Sequence, residues 1–276
     1  MQKALNKWCL PSKIKTEEFF HLAKGSGFEG VELNLETEGE IFLGVTYNQL
    51  KAFLKKANKI GIKISSVASG LHWQYSLSDS DKEIREYGIK IAKRMIEIAS
   101  VLEADTVLLI PGLLTEESDY IEVYNQSVDV LRSLGKIAEK YGINIGLENG
   151  GMKFLHSPLE FNKFLEEIAY SNIGLYLDTA NAMIDGYPQQ WISILGKKIK
   201  GIHFKDFKSN VRLYPQAYTQ LLQGDINWVE VMEKLKQMEY KGYIVAEIPS
   251  YRYFPLRIMD DISRNMDFIL SLGGKE

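Results

Sequence analysis

Short apolar runs alternate with longer amphipathic segments along this chain, in a regular order. The runs are ALNKWCL (4–10), GVELNL (30–35), IKISSVAS (62–69), DTVLLIP (105–111), INIGLEN (143–149), IGLYLDTA (173–180), IKGIHFKDF (199–207) and YIVAEIP (243–249), eight in all. Each reads as a buried strand. Helical patterns lie between them. TEEFFHLAKGSG opens on Thr16 as N-cap and stops at Gly27, and TYNQLKAFLKKANKIG opens on Thr46 and stops at Gly61. Asp79 to Val101 is one long amphipathic stretch, and YIEVYNQSVDVLRSLGKIAEKYG stops at Gly142. Ser157 before Pro158 is an N-cap followed by proline at the first helical position. DINWVEVMEKLKQM and RIMDDISRNMDFILSLGG complete the series. These ends use Ser, Thr, Asp and Pro in front and Gly behind, the residues that satisfy helix termini.

Strand then helix, repeated eight times, implies a parallel sheet, because parallel strands need crossover connections. Eight such units in 276 residues is the size of an α/β fold of one kind, a (β/α)₈ TIM barrel, expected to span residues 1–276 as a single domain. The rival, a doubly wound open sheet, would need a glycine-rich phosphate loop after an early strand, and no G-x-G-x-x-G occurs. Composition narrows the setting. The net charge is −3 with both signs spread along the chain, so no basic block suggests nucleic acid. The one cysteine, Cys9, excludes an internal disulfide framework and fits a reducing cytosol. No signal-peptide core is visible, and no stretch approaches the ~18 apolar residues of a membrane span. The expectation is a cytoplasmic protein with neither a nucleic-acid nor a membrane partner; a homo-oligomer is left open.

In such a barrel function sits on the C-terminal ends of the strands. Run five ends at Glu148, run six at Asp178, run seven contains His203 and run eight ends at Glu247; the separations are 30, 25 and 44 residues. Alternation along a strand puts His203 on one face with Gly201 and Lys205, Asp178 with Gly174 and Tyr176, Glu148 with Gly146, and Glu247 with Val245. The apolar alternates would face the helices and the polar set the barrel axis. Three carboxylates around one imidazole cannot all stay ionised without a compensating charge. A divalent ion supplies it, and three oxygens with one nitrogen suit Mn²⁺, Mg²⁺ or Co²⁺, with Zn²⁺ also compatible. The plainer alternative is four separate, solvated or salt-bridged strand-end residues.

At these residues the chain resembles the sugar phosphate isomerase/epimerase family of xylose-isomerase-like barrels, with its nearest likeness to ketose 3-epimerases and L-ribulose-5-phosphate 3-epimerase-like proteins. The stretches that carry the resemblance are GFEGVELNL, GLENGGMKFLHSPLEF, LDTANAMIDGYPQQWISILGKKIKGIHFKDFK, LLQGDINW and YKGYIVAEI. It implies that Glu148, Asp178, His203 and Glu247 are metal ligands and that Glu148 and Glu247 double as the acid/base pair. The implied reaction is epimerisation of a small ketose or ketose phosphate at carbon 3: one glutamate removes the proton next to the carbonyl, an enediolate forms, and the other glutamate returns the proton on the opposite face. Where ketose 3-epimerases usually carry a histidine three residues after the metal-binding aspartate, this chain has Asn181, and where close relatives tend to carry bulkier residues it has Gly150 and Gly151.

Further substrate-side candidates are Lys205 for an anionic oxygen or phosphate, His72 beside Trp73, Glu32 and Trp8 at the ends of early strands, Lys153 after Glu148, and Asn181. Each also has a structural alternative, from loop shaping to core packing. His21 and His156 read as structural. Three other functions remain open: a dehydratase or aldose–ketose isomerase on the same metal site, a non-catalytic sugar-binding barrel, and a DNA-repair nuclease. Four histidines and a net charge of −3 argue against the last, which needs a multi-metal cluster and a basic groove.

Overall fold

A computed structural model describes residues 1–211 and 216–272. Each of the eight runs contains one strand: β1 (Gln2–Asn6), β2 (Gly30–Asn34), β3 (Lys63–Ala68), β4 (Thr106–Leu109), β5 (Asn144–Glu148), β6 (Ile173–Asp178), β7 (Ile199–Phe204) and β8 (Tyr243–Ala246). Every strand lies parallel to its sequence neighbours, and β8 closes on β1 with Leu5 opposite Ala246. The helices between and after them are α1 (Thr16–Gly25), α2 (Tyr47–Ile60), α3 (Lys82–Val101), α4 (Tyr120–Tyr141), α5 (Pro158–Ile168), α6 (Pro188–Leu195), α7 (Trp228–Gln237) and α8 (Ile258–Ser271). This is the (β/α)₈ barrel expected from the pattern. No helix among the described residues is long and apolar enough to cross a membrane.

Most helix ends are where the capping residues place them. Thr46 caps α2 in a reciprocal pair with Gln49, and Gly61 closes it at φ 79°. Asp119 caps α4, Gly142 closes it at φ 69°, and Ser157 caps α5 with Pro158 next. Glycine adopts this left-handed conformation without strain. Two helices differ from expectation. Thr16 is the first residue of α1 and Lys15 holds the cap position; the Thr16 N–H, which the helix leaves unpaired, donates to Glu40 Oε2 at 2.6 Å, and α1 ends at Gly25, short of Gly27. Helix α6 is too short for a periodic signature, yet it buries Pro188, Trp191, Ile192 and Leu195. The glycines expected behind α8, at 273 and 274, lie outside the described residues.

The barrel has two polarities. Outward strand residues such as Leu33, Val67, Leu147, Leu177, Ile202 and Phe204 pack with helix residues including Phe19, Leu50, Met95, Leu131 and Phe161 in one continuous buried cluster. The inward face holds polar groups and glycines. Tyr176 fills the axis, and the glycines beside it leave its ring room: a Cβ at Gly201 would stand 2.4 Å from Tyr176 Cε2, and one at Gly146 2.7 Å from Cδ2. Two buried contacts tie chain ends and strand ends together. Lys3 Nζ reaches Ser263 Oγ at 2.8 Å and Asp267 Oδ1 at 2.5 Å, joining β1 to α8. The Asn149 amide brackets Asp178, accepting from its N–H at 2.8 Å and donating to its C=O at 3.1 Å.

Gly174 is the tightest backbone approach in the barrel wall, since a Cβ there would meet the Lys198 carbonyl oxygen at 1.9 Å. That atom belongs to the backbone and has no rotamer to move away. Gly174→Ala is expected to cost about 2–3 kcal/mol, the upper range for overpacking, read as a lowered midpoint in urea denaturation with an unchanged slope.

Candidate functional site

Glu148 and Asp178 are the last residues of β5 and β6, His203 is next to last in β7, and Glu247 follows β8 by one residue. Consecutive parallel strands bring their ends side by side. One atom from each of these four side chains lies within 4.8 Å of one atom from every other, the group with metal-binding geometry among the described residues. Asp178 and His203 are sealed, with side chains 0% and 1% exposed, whereas Glu148 and Glu247 remain 13% and 19% exposed. A cavity of about 150 Å³ opens above them, walled by Trp8, Trp73, Leu108 and Tyr218.

His203 is held from behind. Its Nε2 lies 2.6 Å from Glu32 Oε1, which turns Nδ1 toward the carboxylates, 3.5 Å from Glu247 Oε2 and 3.9 Å from Glu148 Oε1. Glu32 is itself saturated: Asn6 Nδ2 donates to Oε1 at 2.6 Å, and Ser66 Oγ and Tyr176 Oη donate to Oε2 at 2.7 and 2.8 Å. The Tyr176 ring stands edge-on to the imidazole with centroids 4.7 Å apart. Burial opposes ionisation of Glu32, but the His203 charge and these donors outweigh it and lower its pKa. Burial likewise pushes His203 down, and the charges of Glu32 and Glu247 overcome it, raising the imidazole to about 9. Glu148 rises to about 8, first through burial and then through the charges of Glu247 and Asp178. A cluster that retains protons on these groups is one whose carboxylates and imidazole a divalent cation would bind by displacing those protons. The donor set, three carboxylates and an imidazole nitrogen aimed at one point, fits such an ion.

Lys205 adds the one ammonium. Burial opposes its charge, yet Asp178 and Glu247 raise its pKa; its Nζ lies 3.0 Å from Asp178 Oδ2, 2.5 Å from Glu247 Oε2 and 4.5 Å from the centre of the Tyr218 ring. The stretch that carries it is anchored twice. Thr179 Oγ1 donates to the Lys205 carbonyl at 2.8 Å and accepts from its N–H at 3.1 Å. The buried Asp206 carboxylate accepts from the N–H groups of Phe207, Leu222 and Ile226 and from Trp228 Nε1. Lysine and histidine thus face the cavity while the next residue pins the long connection to α7.

The other candidates separate by position. Asn181 stands at the site: its N–H donates to Asp178 Oδ1 at 2.8 Å, its Nδ2 lies 3.4 Å from Glu148 Oε1, and Tyr218 Oη donates to its Oδ1. Trp8 lines the cavity, but from a short 3₁₀ turn, Lys7–Cys9, rather than from β1. Glu32 lies beneath His203, fully buried. Lys153 lines a separate cavity of about 270 Å³ beside Asn181 and His156. His72 faces away, buried against α3 with Nε2 3.3 Å from the Gly88 carbonyl, and its neighbour Trp73 lines the cavity instead. His156 pairs with Asp185 at 2.9 Å. Tyr218, Asn6 and Ser66 escaped the sequence reading. Tyr218 lies on a two-residue strand, Tyr218–Thr219, paired antiparallel with Asp206–Phe207 and too short for a pattern, whereas Asn6 and Ser66 share the strand alternation that exposed Glu32. A larger cavity of about 560 Å³ opens at the opposite mouth of the barrel, but its carboxylates, Asp105 and Glu239, belong to no metal-competent group among the described residues.

The model of the xylose isomerase-like TIM barrel family matches residues 20–272. Among curated proteins, an uncharacterized protein of Methanocaldococcus jannaschii is 29% identical over 181 residues, covering 62% of this chain and 60% of that one. The match therefore spans less than two thirds of that protein's length. L-ribulose-5-phosphate 3-epimerase of Escherichia coli is 24% identical over 242 residues, covering 84% of this chain and 81% of that one. Among solved structures, L-ribulose 3-epimerase superposes with a TM-score of 0.83 at 17% identity, covering 98% of this chain and 94% of that one; at this identity the likeness is one of fold.

Two outcomes are expected. Glu32→Gln removes the charge that orients His203 and should weaken divalent-ion binding about 10–100-fold, measured by competition with a chelating dye, while far-ultraviolet circular dichroism stays unchanged. His72 is held neutral by burial, its pKa lowered from 6.5 to about 4. The unfolded chain takes up this proton below its ordinary pKa and the folded chain does not until about pH 4, so stability falls as pH drops through that window. The loss should total roughly 3 kcal/mol, and His72→Gln should remove it from the pH dependence of denaturation.

Proposed function

The chain belongs to the xylose isomerase-like TIM barrel family, and from that premise we propose that it is a divalent-metal-dependent isomerase of a sugar or sugar phosphate, inverting a ketose at carbon 3. The observation that carries this reading is the unequal burial of the four clustered residues. Asp178 and His203 are sealed, as groups that only hold an ion would be. Glu148 and Glu247 reach the same point yet keep an edge in the cavity, as groups that also touch a substrate must. The similarity to an L-ribulose-5-phosphate 3-epimerase over most of the chain favours the same chemistry.

A bound divalent ion would supply Lewis-acid polarisation of the ketose carbonyl, which acidifies the neighbouring C–H. The rest is assigned to the protein. Glu148 and Glu247 arrive from strands separated around the barrel by β6 and β7, so they approach a bound sugar from two sides. One takes the proton from carbon 3 and the other delivers a proton to the opposite face; which acts first depends on the substrate's configuration. Lys205 faces the same space and holds positive charge beside the oxygens on which negative charge develops. Trp8, Trp73 and Tyr218 offer aromatic faces to sugar C–H groups and narrow the entry of water. Asn181 braces both Asp178 and Glu148.

Shortening either glutamate separates proton transfer from ion binding. Glu148→Asp and Glu247→Asp each keep a carboxylate but displace it by about a methylene, outside the hydrogen-bond reach that proton transfer demands. Each should lower turnover about 10²-fold or more with the ion retained. In D₂O the wild-type protein should place deuterium at carbon 3 of its ketose. Near-wild-type turnover in both variants, with the ion bound, would sink the two-base mechanism.

A further inference from the structure

The cavity of about 560 Å³ at the far end of the barrel is lined by residues at the starts of strands. Asp105 precedes β4, and Asn144, Ile199 and Tyr243 are the first residues of β5, β7 and β8. None of its lining residues borders the cavity above the metal-competent group.

Two register shifts shape it. Between β2 and β3, Val31 pairs with Ile64 and Glu32 with Ser66, which leaves Ser65 without an opposite residue. Between β6 and β7, Leu175 pairs with Ile199 and Tyr176 with Gly201, which leaves Lys200 without one. An extra residue of this kind is rare between parallel strands, and it re-aims the side chain it carries. Strands β3 and β7 stand across the axis from each other, and both extra residues line this cavity. Strict alternation with Gly201 and His203 would turn Lys200 outward to the helices. Instead its carbonyl accepts from Thr106 Oγ1 of β4, across the barrel, at 3.4 Å, and its Cγ stands 2.9 Å from where a Gly174 Cβ would be.

The shift delivers an uncommitted ammonium. Lys200 is half-buried, and its Nζ makes no hydrogen bond or ion pair with the described residues. Burial lowers its pKa, and no carboxylate offsets the effect. Methionine would fill the same space without the cost of partly dehydrating a charge. Lys197 and Lys241 stand exposed at the rim, also unpaired. Asp105 and Glu239, the carboxylates of the lining, are exposed and form no ion pair with any of the three lysines. Charges of both signs thus face one space uncommitted. A bare oxyanion would satisfy the ammoniums and offer the carboxylates nothing. A phosphate monoester of a polyol meets both: its phosphate oxygens accept from the ammoniums, and its hydroxyls donate to the carboxylates. The volume lies within the range of about 300–1,000 Å³ found for small-molecule sites.

We propose that the N-terminal mouth of the barrel is a second binding site, for a phosphate monoester of a polyol, with Lys200 as its anchor and Lys197 and Lys241 at its rim. The site is independent of the chemistry assigned to the metal-competent group.

The test titrates the metal-loaded full chain by calorimetry with three probes: glycerol 3-phosphate, inorganic phosphate and glycerol. Lys200→Met removes the anchor, and Lys205→Met removes the ammonium of the other cavity. Wild-type protein is expected to bind glycerol 3-phosphate at least tenfold more tightly than either other probe. Lys200→Met should weaken that binding about tenfold or more, the factor that one hydrogen bond to a charged group supplies. Lys205→Met should leave it within twofold of wild type. The proposal is overturned if wild-type protein does not bind the monoester, or binds inorganic phosphate equally well. It is also overturned if Lys200→Met binds the monoester within twofold of wild type, or if Lys205→Met loses as much affinity as Lys200→Met does. If Lys200→Met does not fold, Lys200→Gln carries the same titration under the same criteria.

Discussion

Three carboxylates cannot share one poorly hydrated corner without positive charge among them. Two like charges 4 Å apart repel by about 4 kcal/mol at an effective dielectric constant of 20, and Glu148, Asp178 and Glu247 bring oxygens within 4.8 Å of one another. Much of the interior follows from this constraint. Lys205 sits between two of the carboxylates, and His203 turns one nitrogen toward them. That nitrogen is presented correctly only if the other is committed, which Glu32 ensures. A buried Glu32 in turn needs donors, and Asn6, Ser66 and Tyr176 provide them. The tyrosine needs space on the axis, which Gly146 and Gly201 leave. A requirement at the mouth of the barrel is thus answered by glycines inside it.

Positioning is equally a matter of backbone. The ligand-bearing strand ends are cross-braced by side chains that themselves hold no ion: Asn149 brackets Asp178, and Thr179 joins the end of β6 to Lys205. Asp206 gathers four donors from the segment leading into α7 and so fixes where Tyr218 hangs over the site. Polar groups that an apolar core would exclude here brace the strand ends that carry the metal-competent residues.

The eightfold pattern was legible because buried parallel strands are short, continuous apolar runs and the helices between them have capped ends. Helix α6, at eight residues too brief for periodicity, escaped, as did the single helical turn Ala182–Asp185. The metal-competent set was legible for a related reason: a two-residue alternation and strand-end position place a side chain in three dimensions almost by themselves. What surrounds that set was not. His72 and Trp73 are adjacent in sequence, and only the sense of a 3₁₀ turn decides that the indole rather than the imidazole faces the cavity. Tyr218 is placed by a two-residue strand paired with Asp206–Phe207, a pairing between segments that no local rule encodes.

All four metal-competent residues lie on or directly after β5 to β8, while Trp8 and Trp73 of the cavity wall come from the first three strand–loop units. On the proposed reading the second half of the chain acts, while the wall that would select a substrate is shared between the early loops and Asn181, Lys205 and Tyr218. On that reading, drift in the early loops would alter part of the wall around an admitted molecule without touching the four metal-competent residues, and duplication followed by change in those loops would be a short route from one specificity to another.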